Sequence, residues 1–220
     1  ATIRHLIRAS NSMELRALVE RVYKIADGAA LMTETSVEKN VYSGVSNLLG
    51  NEPLEDLMQD EFEKLGPVIF DKDDKDFANK IRSTLNESDI LDSFQRIGMK
   101  APLDMPLCDF VASLNNESNG GIGSTDVGDV SWVVPTVQAR VATCAVGTPF
   151  HTWQTVAQGK APAAHKGMIH AAKIMAATAS SLIKNPQKLD NAKKAFKSQV
   201  KENPYVCPIP NGVMPPIVKE

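Results

Sequence analysis

The stretch from Gly120 to Gln154 constrains the fold of this chain more than any other. A glycine-rich loop carries Asp126 and Asp129 and leads into a mostly apolar run at 133–146, whose composition predicts a β-strand. A Gly-Thr-Pro turn then places His151 at the start of a helical segment. A histidine at a strand-to-helix corner is typical of α/β enzymes, which present functional side chains at the edge of a sheet.

Composition argues against several classes of partner. The chain has 24 Lys and Arg against 26 Asp and Glu, a net charge of −2, so nothing indicates nucleic acid or an anionic membrane surface. No run approaches the roughly 18 apolar residues that span a bilayer, and we expect no signal peptide. Cys108, Cys144 and Cys207 are odd in number and widely spaced, which predicts reduced cytoplasmic thiols without a disulfide framework.

The first 47 residues predict two strands around one helix. Ala1 to Arg8 alternates as a strand does, and because nothing leads into it we expect the chain to be a fragment of a longer polypeptide. Asn11 and Glu14 match the capping pattern of a helix start. Thr33 to Val45 is rich in Thr, Val and Tyr and predicts the second strand. Such a half of a ferredoxin-like unit leaves an open sheet edge, which predicts self-association.

The residues from 48 to 220 predict several helices around the strand at 133–146. Asn51 and Pro53 begin one helix, Gly66 ends it, and the charged segment 71–76 begins the next. The clearest helix is 163–184, in which one apolar stripe contains Met168, Ala171, Ala172, Met175, Ala179 and Leu182. A later helix carries lysines at 193, 194, 197 and 201, most simply a solvated face.

Four strings resemble the metal-dependent aminoacylase/carboxypeptidase family: ALMTET, GSTDVGDVSWVVPTVQ, GTPFHTW and AHKGMIHAAKIMAATA. Within that family they are most similar to the hydrolases of aminobenzoyl-glutamate. The resemblance implies an α/β fold, with part of a ferredoxin-like α+β lid domain in residues 1–47. The C-terminal part of an α/β zinc-exopeptidase-type catalytic domain would then occupy residues 48–220. It also implies a cytoplasmic enzyme that cleaves the amide of an acyl-amino acid.

The resemblance places His151 at the last metal-binding histidine of the family, with Zn or Mn as the cofactor in a site of one or two ions. Such a ligand is a neutral imidazole about 2.0–2.1 Å from zinc. The remaining ligands and the carboxylate base belong to the N-terminal half of the family's polypeptide, so we expect this chain alone to be inactive. Without the resemblance, a single histidine near a turn is more often an ordinary residue.

The resemblance also suggests residues that bind the substrate. Backbone N–H groups of Gly123, Ser124, Thr125 and Asp126 can hold a substrate carboxylate. Arg8 matches an arginine of the family's lid and would reach the active site, although a salt-bridged surface arginine is an equal alternative.

The two aspartates and the two tryptophans near the loop can each be interpreted in two ways. Asp126 and Asp129 are either a general acid and base or residues that cap and order the loop. Trp132 and Trp153 are either core or interface aromatics or stacking partners for an aromatic substrate. Cys144 lies inside the apolar run and is expected to be buried and inert.

The expected partners follow from the resemblance. The substrate would be a small acyl-amino acid. The protein would form a homodimer, or a hetero-oligomer with a protein that resembles the companion (A-type) component of such hydrolases. The alternative is a non-catalytic regulatory or assembly subunit that keeps the hydrolase fold. The residues by themselves would also fit a binding module with an apolar pocket near Trp132 and Trp153.

Overall fold

The structure is a computed structural model that describes residues 1–95, 103–114 and 125–214. The regular elements in these ranges are helices: α1 (Ser12–Met32), α2 (Glu52–Leu65), α3 (Lys72–Arg82), α4 (Glu87–Gln95), α5 (Val127–Ser131), α6 (Trp153–Gln158), α7 (Pro162–Lys184) and α8 (Pro186–Glu202). No helix among the described residues is long and apolar enough to cross a membrane.

The predicted α/β fold is wrong. Among the described residues there is no β-strand, and the runs predicted as strands, at 1–8, 33–45 and 133–146, consist of turns and irregular chain. Alternation of side chains predicts which way they face, but a strand also needs a neighbouring chain to pair its N–H and C=O groups. Neither the ferredoxin-like lid nor the sheet of a zinc-exopeptidase-type domain is therefore present in the described part of the chain.

The chain divides into two compact units. The first unit comprises Ala1–Gly50, Gly123–Thr136 and Ser198–Glu220, and the second comprises Asn51–Ile122 and Val137–Lys197. The division into a lid domain at 1–47 and a catalytic domain at 48–220 stays a prediction.

A hydrophobic core stabilises the second unit. It contains Val68, Phe70, Ala78, Ile81, Leu107, Ala145 and Ala163. Helix α2 packs against α7 and buries Leu54, Leu57 and Met58. The predicted start of α2 is confirmed, because the Asn51 side chain accepts a hydrogen bond from the Leu54 N–H at 3.3 Å.

Helix α7 was predicted almost to its ends, but it packs through a different face from the one expected. Its buried residues are Ala163, Gly167, Ile174 and Thr178. Most of the apolar stripe that the sequence suggested as a packing face is exposed, namely Met168, Ala172, Met175 and Ala179. The 3.6-residue period therefore identified the helix without identifying its packed side.

The first unit buries polar side chains and leaves its apolar ones partly exposed among the described residues. Helix α1 begins as predicted, with the Asn11 side chain accepting from the Glu14 N–H at 2.9 Å, yet no residue of this 21-residue helix is buried. Among the described residues of the unit, the buried side chains are those of Ser46 and Ser131, and no buried hydrophobic residue occurs.

Candidate functional site

The turn that carries His151, which we call the His151 corner (residues 145–158), is stabilised by hydroxyl groups. Thr152 and Thr155 both donate to the Pro149 carbonyl at 2.7 Å. Thr148 donates to the Ala145 carbonyl at 2.6 Å. These bonds satisfy the carbonyls of Ala145 and Pro149, and they fix the path of the chain into helix α6.

Gln158 links the two ends of the corner and was not recognised from the sequence. Its side chain is buried, and Oε1 accepts from the Ala145 N–H at 2.7 Å. Its Nε2 donates to Thr148 Oγ1 at 3.1 Å and to the Gln154 carbonyl at 3.0 Å. One glutamine thus satisfies three polar groups, whereas nothing in its local sequence distinguishes it from a surface residue.

Gly147 at the corner cannot be replaced without strain. Its φ of +90° lies in the left-handed region that favours glycine. A β-carbon at this position would lie 2.7 Å from Ile90 Cγ1 and 2.9 Å from Ile90 Cα. The glycine therefore allows the predicted Gly-Thr-Pro turn to pack closely against α4.

His151 itself is exposed and has a φ of +63°, which is uncommon for a residue with a β-carbon. Such a conformation persists only where the surrounding structure imposes it, and it occurs often at binding sites. Phe150, Trp153 and Val156 of the same corner are 60% to 80% exposed. The corner therefore exposes one imidazole and three apolar side chains, a composition typical of contact with a ligand or another polypeptide.

The described residues do not make a zinc or manganese site by themselves. A zinc site uses three or four donors from His, Cys, Asp and Glu, and no group of three such residues is close enough within the described ranges. His151 offers one imidazole. Its predicted role as a metal ligand stays a prediction.

The structure describes only the end of the glycine-rich loop. Gly123 and Ser124 lie outside the described residues. Thr125 orders the start of α5, because its carbonyl accepts from the Gly128 N–H at 2.9 Å and its Oγ1 from the Val127 N–H at 3.3 Å. Asp126 is exposed and makes no capping hydrogen bond with its side chain.

Asp129 connects three parts of the first unit. Oδ2 accepts from the Ser46 N–H at 3.1 Å, and Oδ1 accepts from Ser46 Oγ at 2.7 Å and from the Tyr205 hydroxyl at 2.9 Å. Burial, together with the hydrogen bond to Asp129, raises the pKa of Tyr205 above its ordinary value. Of the two interpretations of this carboxylate, the contacts favour ordering of the chain over acid or base catalysis.

Helix α5 and the residue that follows it hold the segment 46–49 through two further side chains. Trp132 donates from Nε1 to the Asn47 carbonyl at 2.8 Å, and Ser131 Oγ accepts from the Leu49 N–H at 2.8 Å. A β-carbon on Gly128 would overlap the Ser46 carbonyl oxygen, so the glycine is required for this approach. Trp132 therefore has a structural role, whereas Trp153 is exposed.

The remaining predicted residues lie in both units. Arg8, Thr125 and Asp126 belong to the first unit, and His151 belongs to the second. Arg8 is exposed. Cys144 is partly buried, and burial raises the pKa of its thiol. That this cysteine is inert stays a prediction.

Comparison with known proteins supports the resemblance that the sequence suggested. The chain is similar to the B-type subunit of p-aminobenzoyl-glutamate hydrolase from Escherichia coli (strain K12), with 37% identity over 229 aligned positions. The match includes the whole chain and 48% of the relative, so the chain spans about half the length of that protein. This coverage is consistent with a C-terminal portion. No family model and no solved structure matches the chain.

Proposed function

We propose that this chain is part of an amidohydrolase that cleaves the amide between an acyl group and an amino acid, as in p-aminobenzoyl-glutamate. The observation that carries the proposal is 37% identity, over the whole chain, to a hydrolase named for that substrate. Because about half of that relative has no counterpart here, the active enzyme would combine this chain with a second portion of polypeptide. The chain alone is then expected to be inactive.

His151 is the proposed contribution of this chain to the reaction centre. Its exposed imidazole stands on a turn fixed by Gln158 and three threonine hydroxyls, so its position is defined before a substrate binds. A Zn or Mn ion would take this imidazole as one ligand, and its remaining donors would lie outside the described residues. The aromatic side chains of Phe150 and Trp153 beside it offer a surface for an aromatic acyl group.

The substrate contacts predicted for Arg8, Gly123, Ser124, Thr125 and Asp126 remain part of the proposal. The oligomeric state is proposed from the same source, since the relative is named as one component of a hydrolase with more than one kind of subunit. A homodimer and a hetero-oligomer with a protein like the companion (A-type) component are both compatible with that name.

A chimeric enzyme tests the function. The matching half of the E. coli relative would be replaced by this chain, and hydrolysis of p-aminobenzoyl-glutamate would be followed with added Zn or Mn. We expect turnover, and we expect His151→Ala to lower kcat/KM at least about 100-fold, because a ligand imidazole has no substitute at that position. His165→Ala changes an exposed histidine of α7 and should leave activity within about tenfold.

Two results would count against the proposal. A chimera that melts cooperatively and binds metal but does not hydrolyse the substrate would favour the alternative of a non-catalytic component. Full activity and unchanged metal content in His151→Ala would remove the histidine from the reaction centre, even if the chimera is an active enzyme.

A further inference from the structure

The first unit contains a cavity of about 480 Å³, which we call the tyrosine cavity. This volume lies in the range of roughly 300–1,000 Å³ that is typical of pockets for small molecules. Three segments of the unit form its walls, namely helix α1, the stretch 39–42 and the stretch 210–214. Its lining includes Tyr23, Lys39, Val41, Tyr42, Val213 and Met214.

Contacts within the unit tie these walls to one another. Lys39 Nζ lies 2.6 Å from Asp27 Oδ1 and 5.5 Å from the centre of the Tyr23 ring, so the second wall is joined to α1. Gly44, just after the second wall, approaches the third, because a β-carbon on it would lie 3.0 Å from Pro208 Cβ. The shape of the cavity is therefore set by the fold of the unit before a ligand binds.

The lining combines aromatic rings, aliphatic side chains and one cation. Tyr23 and Tyr42 supply the rings, and Arg4 Cζ lies 5.6 Å from the centre of the Tyr42 ring. Lys39 is the charged residue of the lining, and no carboxylate occurs among the described residues that line the cavity. The cavity therefore has an apolar interior with a positive edge.

The polar groups at this edge favour an anion. Both rings already have a cation near them, which makes a cationic ligand unfavourable. The Asp27 carboxylate accepts from Lys39, but an ammonium group has three N–H donors, so Lys39 retains donors for a second carboxylate. Glu38 accepts from Asn40 Nδ2 at 3.0 Å. The side chain of Asp27 is 57% exposed, so water and salt screen its charge.

We propose that the tyrosine cavity binds a planar aromatic carboxylate, with the ring of the ligand against Tyr23 and Tyr42 and its carboxylate on Lys39. Ring contacts of this kind add to the burial of apolar surface. A carboxylate that accepts from an ammonium group forms a charge-assisted hydrogen bond, which is stronger than a neutral one. Such binding needs neither turnover nor a second polypeptide, so the inference does not rest on the proposed function.

Titration of the 220-residue chain with p-aminobenzoate tests the proposal, because this compound is a planar aromatic carboxylate. Ligand-observed NMR would measure the Kd. We expect saturable binding with a Kd of about 1 mM or below, which is ordinary for a ligand of about ten non-hydrogen atoms. p-Aminobenzamide lacks the charge and cyclohexanecarboxylate lacks the aromatic ring, so each should bind at least about fivefold more weakly.

Two variants remove the two features from the protein. Lys39→Met and Tyr42→Leu should each raise the Kd for p-aminobenzoate at least about fivefold, because one removes the cation and the other an aromatic ring. Lys24→Met is the matched control, since Lys24 is an exposed lysine of α1 outside the lining, and it should leave the Kd unchanged. Circular dichroism checks that the variants keep the helix content.

A second measurement uses the unaltered chain. The backbone amide signals of Asn40 and Val41 should move in the NMR spectrum as p-aminobenzoate saturates the chain. The proposal is overturned if no saturable binding occurs, if p-aminobenzamide binds as tightly as p-aminobenzoate, or if these amide signals stay in place.

The same titration distinguishes this inference from the proposed function. Binding that is lost in Trp153→Ala and kept in Tyr42→Leu would place the compound at the His151 corner and reject the tyrosine cavity as its site. An inactive chimera would count against the hydrolase and leave the binding to the tyrosine cavity intact, since none of these measurements depends on hydrolysis.

Discussion

At the scale of single residues, Asp129 contributes more side-chain hydrogen bonds to the stability of its unit than its exposed neighbour Asp126 does. It accepts hydrogen bonds from Ser46 and from Tyr205, which are distant in sequence. In a unit without buried hydrophobic side chains among its described residues, such contacts replace a core. Removal of the carboxylate would leave partly buried donors without an acceptor, which costs about 1–3 kcal/mol.

Asp129→Ala is therefore expected to destabilise the first unit by about 1–3 kcal/mol. The midpoint of thermal unfolding, followed by the fluorescence of Trp132 in a Trp153→Phe background, should fall by several degrees, roughly 4–8 °C for each kcal/mol in a unit of this size. Asp126→Ala is the control, because that side chain makes no capping hydrogen bond, and it should shift the transition little. Equal shifts of the unfolding midpoint in both variants would show that the hydrogen bonds of Asp129 add nothing to the stability of the unit.

The role of a side chain could be predicted from the sequence where its hydrogen-bond partner lies only a few residues away. The caps at Asn11 and Asn51 involve residues three positions away, so a short pattern was sufficient. The partners of Asp129 are 83 and 76 positions away, and no short pattern indicates them. Gln158 was missed for a related reason, since its role depends on how the turn at Ala145 folds back.

At the scale of elements, one buried glutamate connects α2 to α7. Glu61 Oε1 accepts from Lys64 Nζ at 2.8 Å on its own helix and from Ser181 Oγ at 2.9 Å on α7. The hydrogen bonds from Lys64 and then from Ser181 lower the pKa of Glu61 below its ordinary 4.5, against the opposing effect of burial. The ionised form therefore belongs to the folded state.

This pKa shift predicts the direction of the acid dependence. A carboxyl group whose pKa is lower in the folded chain stabilises it above the unfolded pKa, and that contribution is lost as the pH falls through the folded pKa. Stability should therefore fall below about pH 4.5. Glu61→Gln should lower the free energy of unfolding at pH 7 and make the fall in acid shallower, as measured by urea titrations at several pH values.

Glu63→Gln is the matched control for this experiment, because Glu63 is an exposed glutamate of the same helix. It should change the pH dependence less than Glu61→Gln does. An acid profile that is the same in Glu61→Gln and in the original chain would contradict the assignment of a buried ionised glutamate between the two helices.

Helices were predicted well and strands were not, and the difference is physical. A helix closes its hydrogen bonds within a few residues, so caps and a 3.6-residue period are enough to indicate α1, α2 and α7. A strand depends on a second segment, and the run at 133–146 has the composition of a strand without a paired neighbour in the described chain. Which face of α7 packs also depends on distant residues.

At the scale of the whole molecule, burial is distributed unequally. The buried hydrophobic residues of the described chain all lie in the second unit, whereas the first unit buries polar side chains. The hydrophobic fraction of 43% is ordinary for a globular protein and does not indicate this division, because composition does not show which segments meet. Local stability should follow the burial, since openings that expose little apolar surface cost little free energy.

Hydrogen exchange measured by mass spectrometry should reveal this inequality along the chain. Amides of α1, which has no buried residue, should exchange at least about 100-fold faster than those of α2 and α7. Met58→Ala removes a buried side chain of α2 and should cost about 2–5 kcal/mol there. It should therefore speed the exchange of α2 and α7 and leave that of α1 unchanged. Protection of α1 as strong as that of α2 would contradict this distribution, because a helix without a buried side chain has little packing to keep its amides closed.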